Sequence, residues 1–175
     1  MNRAILLFFL FLMGTKCIAA AHLDLFGDEA FYYLCSRQPD IAYADHPFMA
    51  AMLVRGGVGL PGPTFRGARL AVVLGGALAP LAVFLLARPI VGRRDAWLAA
   101  GLSLVIPAFA HVGLLAIPDA PLLLFAALAL HGYERASRTC RPGWYLVAGV
   151  ALAAGLATHY RFGLIGLAFL LHALL

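Results

Sequence analysis

Apolar runs separated by short polar breaks make up almost the whole chain. The runs cover 4–21, 69–87, 96–115, 119–133, 144–158 and 164–175. A membrane-spanning helix needs about 20 apolar residues. The runs therefore predict an all-α, polytopic transmembrane helical bundle whose later spans are slightly short. The 38 residues from Ala96 to Tyr133 are interrupted by "IPDAP" at 117–121 and suit two spans joined by a tight turn. The first run follows Met-Asn-Arg and ends in "IAAAH". It fits a cleaved signal peptide or a retained first span, and the further spans behind it favour retention. Lys16 is unusual in such a run; near a helix end its side chain can snorkel to the interface. The chain stops within an apolar run, so it is expected to be the N-terminal part of a longer transmembrane domain.

Residues 22–65 break the pattern. They hold five of the eight acids, Asp24, Asp28, Glu29, Asp40 and Asp45, together with three tyrosines and four prolines. This stretch reads as an outer loop carrying short helices. "GDEAFYYLCSRQ" has no breaker after Gly27 and predicts about three turns of helix. "HPFMAAMLVRGGVG" predicts a second short helix. Their apolar faces place them along the membrane surface, with Phe31, Tyr32 and Tyr33 turned toward lipid.

Composition agrees with a bilayer as the solvent. The chain is 63% hydrophobic and 12% charged, with a mean hydropathy of +0.92, whereas soluble domains carry about 25% charged residues. The net charge of +5 does not make it a nucleic-acid binder, because the arginines form short clusters and no continuous basic face. Arg88, Arg93 and Arg94 flank one connection, and Arg135, Arg138 and Arg141 flank another. Positive charge between spans marks the cytoplasmic side. The N-terminus then lies inside, while the 22–65 loop, "IPDAP" and "HYRFG" lie outside. Cys17, Cys35 and Cys140 have neither metal-ligand spacing nor the look of a disulfide framework.

The candidate chemistry sits on that outer side. Asp28 follows Gly27 and precedes a helical run, so it suits an N-cap, with Glu29 favoured in the first turn by the helix dipole. The same pair also suits a general base or a cation ligand, since a helix N-terminus keeps a carboxylate ionised. Asp119, between two prolines at the head of an apolar helix, is open to the same two readings: N-cap, or functional acid near the membrane. In "YADHPFMAAML", Asp45 and His46 suit a turn before a surface helix, and as metal ligands they lack an i, i+4 partner. His111, His131 and His172 stand isolated among apolar residues and read as packing or interfacial groups. "THYRFG" brings His159, Tyr160 and Arg161 together; it suits an interfacial anchor or an anion site, since arginine contacts phosphate bidentately. No P-loop, HExxH or GxSxG sequence is present.

In order, "GDEAFYY", "YADHPFMAAML", "IPDAPLLLFAALAL" and "GVALAAGLATHYRFGLIGLAFLL" resemble the N-terminal part of the GT-C glycosyltransferases. The likeness is strongest to the bacterial relatives of dolichyl-phosphate-mannose protein mannosyltransferases, including the lipid A aminoarabinose transferase. The resemblance implies a multi-pass enzyme of the bacterial inner membrane with its acidic loop in the periplasm. Such an enzyme moves a sugar from a polyprenyl-phosphate donor to a glycan, lipid or protein acceptor. The family's acidic signature falls on Asp28 and Glu29, with Asp28 as the usual base, and its second acid falls on Asp119. Tyr32, Asp45, His46, Tyr160 and Arg161 become substrate-binding candidates. Some members bind a divalent metal ion near these acids, which makes Glu29 and Asp119 candidate ligands. Two positions depart from the pattern: Phe48 stands where a second proline is common, and His159 stands where lysine is common before the tyrosine. The resemblance implies inversion in one displacement.

The expectation is thus an inverting transferase using a lipid-linked sugar. The alternative is a non-enzymatic membrane protein, a transporter segment or a truncated inactive transferase, in which Asp28 and Asp119 are caps. Convergence of Asp28, Glu29 and Asp119 on one cavity distinguishes the two.

Overall fold

The computed structural model describes residues 3–44, 46–60, 62, 64–106 and 112–175. The fold is all-α and of membrane type. Its helices are α1 (Arg3–His22), α2 (Gly27–Arg37), α3 (Met49–Val58), α4 (Phe65–Ser103), α5 (Asp119–Thr139), α6 (Pro142–Thr158) and α7 (Gly163–Leu174), with a 3-10 turn at Tyr160–Phe162 before α7. Both short helices expected in the 22–65 loop form, as α2 and α3.

α4 joins two of the expected spans. "RPIVGRRD" was expected to connect them, and it does: the helix breaks at Gly92 (φ 81°, ψ 173°) and the chain folds back, so that Phe84 and Trp97 on either side of the break stack with ring centroids 4.2 Å apart. The Gly92 backbone region is open to glycine and strained for other residues. Thr64 caps the start of α4, its hydroxyl accepting from the Gly67 N–H at 3.1 Å. The expected 96–115 run is helical only to Ser103. Residues 112–118 are turns and bends, and 107–111, including His111, lie outside the described residues. The Arg66–Ser103 stretch is long and apolar enough to cross a membrane, and α1 with α2 qualifies as one broken span bent by 71°.

Helix α5 packs antiparallel along α6 through small residues: Ala129, Gly132 and Ala136 on α5, and Ala148 and Ala151 on α6, while Gly155 of α6 is covered by the Phe162 ring. Small side chains let two backbones approach closely, the usual basis of helix pairing in a bilayer. Helix α7 joins this pair through Tyr133, whose ring stacks on Phe169 with centroids 4.2 Å apart. The Tyr133 hydroxyl also donates to the Phe169 carbonyl at 3.0 Å and lies 3.0 Å from His172 Nδ1. His172 is thus a packing partner of α5.

The second cluster lies between α2, α3, α4 and the 112–120 segment. It contains Tyr32, Ala50, Val54, Ala68, Val72, Val112, Ala116 and Ala120. Tyr32 is therefore a core residue, 3% exposed, and not a lipid-facing one: α3 covers the face of α2 that was expected to meet lipid. Lys16 is also placed differently. Its Nζ donates to the Val112 carbonyl at 2.8 Å, tying α1 to the 112–118 segment instead of reaching for an interface.

Candidate active site

The local chain order explains why Asp28 and Glu29 face opposite ways. Helix α2 has Phe26 as N-cap, which puts Asp28 inside the first turn. Glu29 stands at the third helical position and accepts the Phe26 N–H at Oε2, 3.0 Å. The cap at this end is thus supplied by Glu29, and the expected capping role of Asp28 does not occur. Asp119 likewise makes no cap: α5 begins at Asp119 itself, with Pro118 as N-cap and no side-chain bond there. Neither carboxylate has a hydrogen-bond partner among the described residues.

Glu29 is completely buried, and so is Arg69. Arg69 Nε donates to Glu29 Oε1 at 2.7 Å and Nη2 to Oε2 at 2.5 Å. The remaining guanidinium hydrogens go to the carbonyls of Ala20 (3.0 Å), Leu23 (2.7 Å) and Asp24 (2.8 Å), which follow or close α1. The Ala116 N–H completes the set, donating to Glu29 Oε1 at 2.7 Å. Burial alone would push the Glu29 carboxyl up, but the hydrogen bonds from Arg69, Ala116 and Phe26 and the guanidinium charge hold it below its ordinary value. The pair ties together the end of α1, the start of α2, the start of α4 and the turn before α5.

In front of that anchor lies a cavity of about 640 Å³, lined by Asp28, Phe31, Tyr32, His46, Asp119, Leu122, His159 and Arg161, with Ile117 and Pro118. Four separated parts of the chain meet here: α2, the turn at 43–47, the head of α5, and the junction of α6 with the 3-10 turn. The turn holds its shape because the Tyr43 N–H donates to the His46 carbonyl at 2.9 Å. The Tyr43 hydroxyl lies 3.0 Å from the Cys35 carbonyl and 3.1 Å from that of Gln38, at the end of α2. His46 thereby reaches His159, with ring centroids 4.9 Å apart. Its Nδ1 is buried without a hydrogen-bond partner among the described residues. His159 Nδ1 accepts the Arg161 N–H at 3.1 Å. Burial, then the nearby charges of His46 and Arg161, hold the His159 imidazole below its ordinary value, against an opposing pull from Asp119.

Of the residues expected from sequence, Asp28, Tyr32, His46, Asp119 and Arg161 share this cavity. Asp45 lies outside the described residues. Tyr160 is exposed and packs on His159, centroids 4.5 Å apart, without lining the cavity. Glu29 does not join Asp119. A carboxylate offers about four lone-pair positions, and four N–H groups occupy those of Glu29, so it does not fit the expected metal-ligand role. Among the described residues no three His, Cys, Asp or Glu side chains form a metal-binding group. Sequence reasoning missed two residues. His159 was noticed within "THYRFG" and as a departure from lysine but was not named a site residue, and Arg69 was noticed only as the edge of a span. An arginine at the head of an apolar helix calls for a buried acid, and that was the available signal.

Residues 45–175 match the family described as dolichyl-phosphate-mannose-protein mannosyltransferase. The chain belongs to this family. Its members are membrane glycosyltransferases that use a polyprenyl-phosphate sugar donor. The match takes in the 43–47 turn from its third residue, Asp119, His159 and Arg161; Asp28 and Glu29 precede it. No curated protein and no solved structure matches the chain.

Proposed function

We propose that the cavity is where a polyprenyl-phosphate sugar meets its acceptor, at the periplasmic end of a multi-pass protein in a bacterial inner membrane. The observation that carries this reading is the convergence of Asp28 and Asp119 with His46, His159 and Arg161 on one cavity. The volume suits a sugar with its phosphate, because small-molecule sites span about 300–1,000 Å³. Two acids alone would repel a phosphate. Arg161 supplies a bidentate donor for it, and His159 adds a ring N–H. Phe31 and Leu122 give the same cavity an apolar wall for the first part of an isoprenoid chain.

The reaction that fits these groups is a single displacement. The acceptor hydroxyl oxygen bonds to the anomeric carbon from the face opposite the phosphate. The bond from that carbon to the phosphate oxygen breaks, and its electron pair leaves on the polyprenyl phosphate. The hydroxyl proton passes to the Asp28 carboxylate, and the sugar configuration inverts. Asp28 suits the base because its carboxylate is exposed and makes no hydrogen bond among the described residues, while Asp119 faces the same space and orients sugar hydroxyls. Phosphate is already a fair leaving group, so cationic stabilisation by Arg161 matters more than protonation. Holding both substrates in one cavity removes part of the entropic barrier. A family metal, where used, would stabilise phosphate charge; Glu29 is not available to hold it, and no step here depends on it.

The test uses membranes expressing the gene's whole open reading frame, wild type or Asp28→Asn, with radiolabelled polyprenyl-phosphate sugars. Loss of transfer with donor binding retained supports the reading. Unchanged transfer by Asp28→Asn would end it.

A further inference from the structure

A second cavity, of about 370 Å³, lies at the other end of the α5–α6 pair, lined by Leu85, Arg88, Pro89, His131, Arg135 and Trp144. Along α5, His131 and Arg135 stand 12 and 16 residues beyond Asp119. At about 1.5 Å per residue that is roughly 18–24 Å along the helix, a large part of a hydrocarbon core of about 30 Å. Helix α6 returns the same distance, from Trp144 at this cavity to the His159 junction at the first. The two cavities therefore mark opposite ends of the bundle.

We propose that this second cavity binds the phosphate headgroup of an anionic phospholipid, with the acyl chains lying on the apolar surface of α4. Three observations converge. Arg88 and Arg135 bring two guanidinium groups to one cavity, and among the described residues neither pairs with a carboxylate. The nearby acid, Glu134, forms an i, i+4 ion pair with Arg138 at 2.5 Å, although neither of its oxygens has a hydrogen-bond partner among the described residues. Arg135 is held over the Trp144 ring, 5.5 Å from its centroid, and Trp144 meets His131 edge-on at 5.6 Å. Arg135 is thus kept at the cavity, its N–H donors unpaired among the described residues. His131 Nδ1 is buried without a hydrogen-bond partner among the described residues, a costly arrangement that a phosphate with its bound water relieves.

A lipid fits better than a free anion because of what adjoins the cavity. Leu81, Leu85, Ile90 and Val91 are exposed on α4 beside it, and they offer a track for acyl chains leading away from the arginines. A basic pocket between apolar helices with an aromatic at its rim is the chemistry that recognises an anionic headgroup. This assignment rests on the membrane character of the chain and is independent of the sugar-transfer reading.

The experiment uses the chain in lipid nanodiscs with Trp97→Phe, leaving Trp144 as the fluorophore. Its quenching is compared between brominated phosphatidylglycerol and brominated phosphatidylcholine. The expected result is preferential quenching by phosphatidylglycerol, reduced about ten-fold or more in Arg88→Gln/Arg135→Gln. It is expected to persist in Arg94→Gln, which removes a nearby charge outside the cavity. Inorganic phosphate at matched concentration is expected not to abolish the preference. Equal quenching by the two lipids overturns the proposal, as does equal loss in Arg94→Gln, which means diffuse charge attraction. Full competition by inorganic phosphate overturns the lipid assignment in favour of a free anion. The Arg88→Lys/Arg135→Lys variant guards against misfolding: it retains charge, and a partial preference is expected. Complete loss in that well-folded variant, judged by circular dichroism, counts against a phosphate held by charge.

Discussion

Arg69 grips Glu29 at two points, while Asp28, the residue before Glu29, opens into the cavity. Adjacent acids thus divide the work: one anchors the wall and the other faces the cavity. The anchor sets the position of both cavity acids, because Glu29 also holds the Ala116 N–H three residues before Asp119.

Removing one partner of this pair leaves an uncompensated buried charge, which costs about 3–5 kcal/mol. Arg69→Met is therefore expected to lower the thermal unfolding midpoint in detergent sharply. Glu29→Met/Arg69→Met is expected to be milder than Arg69→Met alone, since it buries no lone charge. An equal or smaller loss in the single variant, followed by tryptophan fluorescence, would mean that the pair is not the anchor.

The same pair has a pH signature. The folded Glu29 carboxyl lies below its ordinary value of 4.5, so it binds a proton less readily in the folded chain than in the unfolded one. Its contribution is full above the ordinary carboxylate range and declines as pH falls through the folded value. The midpoint difference between wild type and Glu29→Gln is thus expected to be constant from neutral to mildly acidic pH and to shrink only in strong acid. Thermal scans across that range check it; a difference that grows on acidification contradicts the sign.

His159 gives a test inside the cavity. Its imidazole is held below the ordinary value by burial first and then by the charges of His46 and Arg161, while Asp119 pulls the other way. His46→Gln is expected to move its titration up, and Asp119→Asn is expected to move it down. Nitrogen-15 histidine NMR reads both. Shifts of the same sign in the two variants would mean that His46 and Asp119 do not face His159 from one cavity.

Much of this was legible in the chain, and the gaps have physical causes. α1, α2, α3, α5 and α6 follow from apolar period, breakers and length. The break in α4 was legible because Pro89, Gly92 and three arginines interrupt the apolar run, and the chain turns back at the positive-φ Gly92, stacking Phe84 on Trp97. Asp28, His46, Asp119 and Arg161 were singled out because polar residues in an apolar chain are conspicuous, and they line one cavity. Glu29 was misassigned because pairing with Arg69, 40 positions away, has no local signature. Tyr32 was turned to lipid because nothing in its own helix reveals that α3 covers it.

The α5–α6 contact yields the last prediction, and it concerns the link between the two cavities. A Cβ added at Gly132 would lie 2.8 Å from the Ala148 nitrogen, 3.1 Å from its Cα and 3.2 Å from the Trp144 carbonyl oxygen. All three neighbours are backbone, so they cannot rotate away and the helices must separate. Gly149, also on α6, has nothing within 4 Å of such a Cβ. Alanine has the better helix propensity by about 1 kcal/mol, so Gly149→Ala is expected to raise the unfolding midpoint. At Gly132 overpacking of about 1–3 kcal/mol outweighs that gain, so Gly132→Ala is expected to lower it, and Gly132→Val further. Opposite signs from one substitution on two facing helices cannot come from propensity alone. If both alanine variants stabilise, the helices do not meet at Gly132, and the rigid connection between His131 and Asp119 loses its basis.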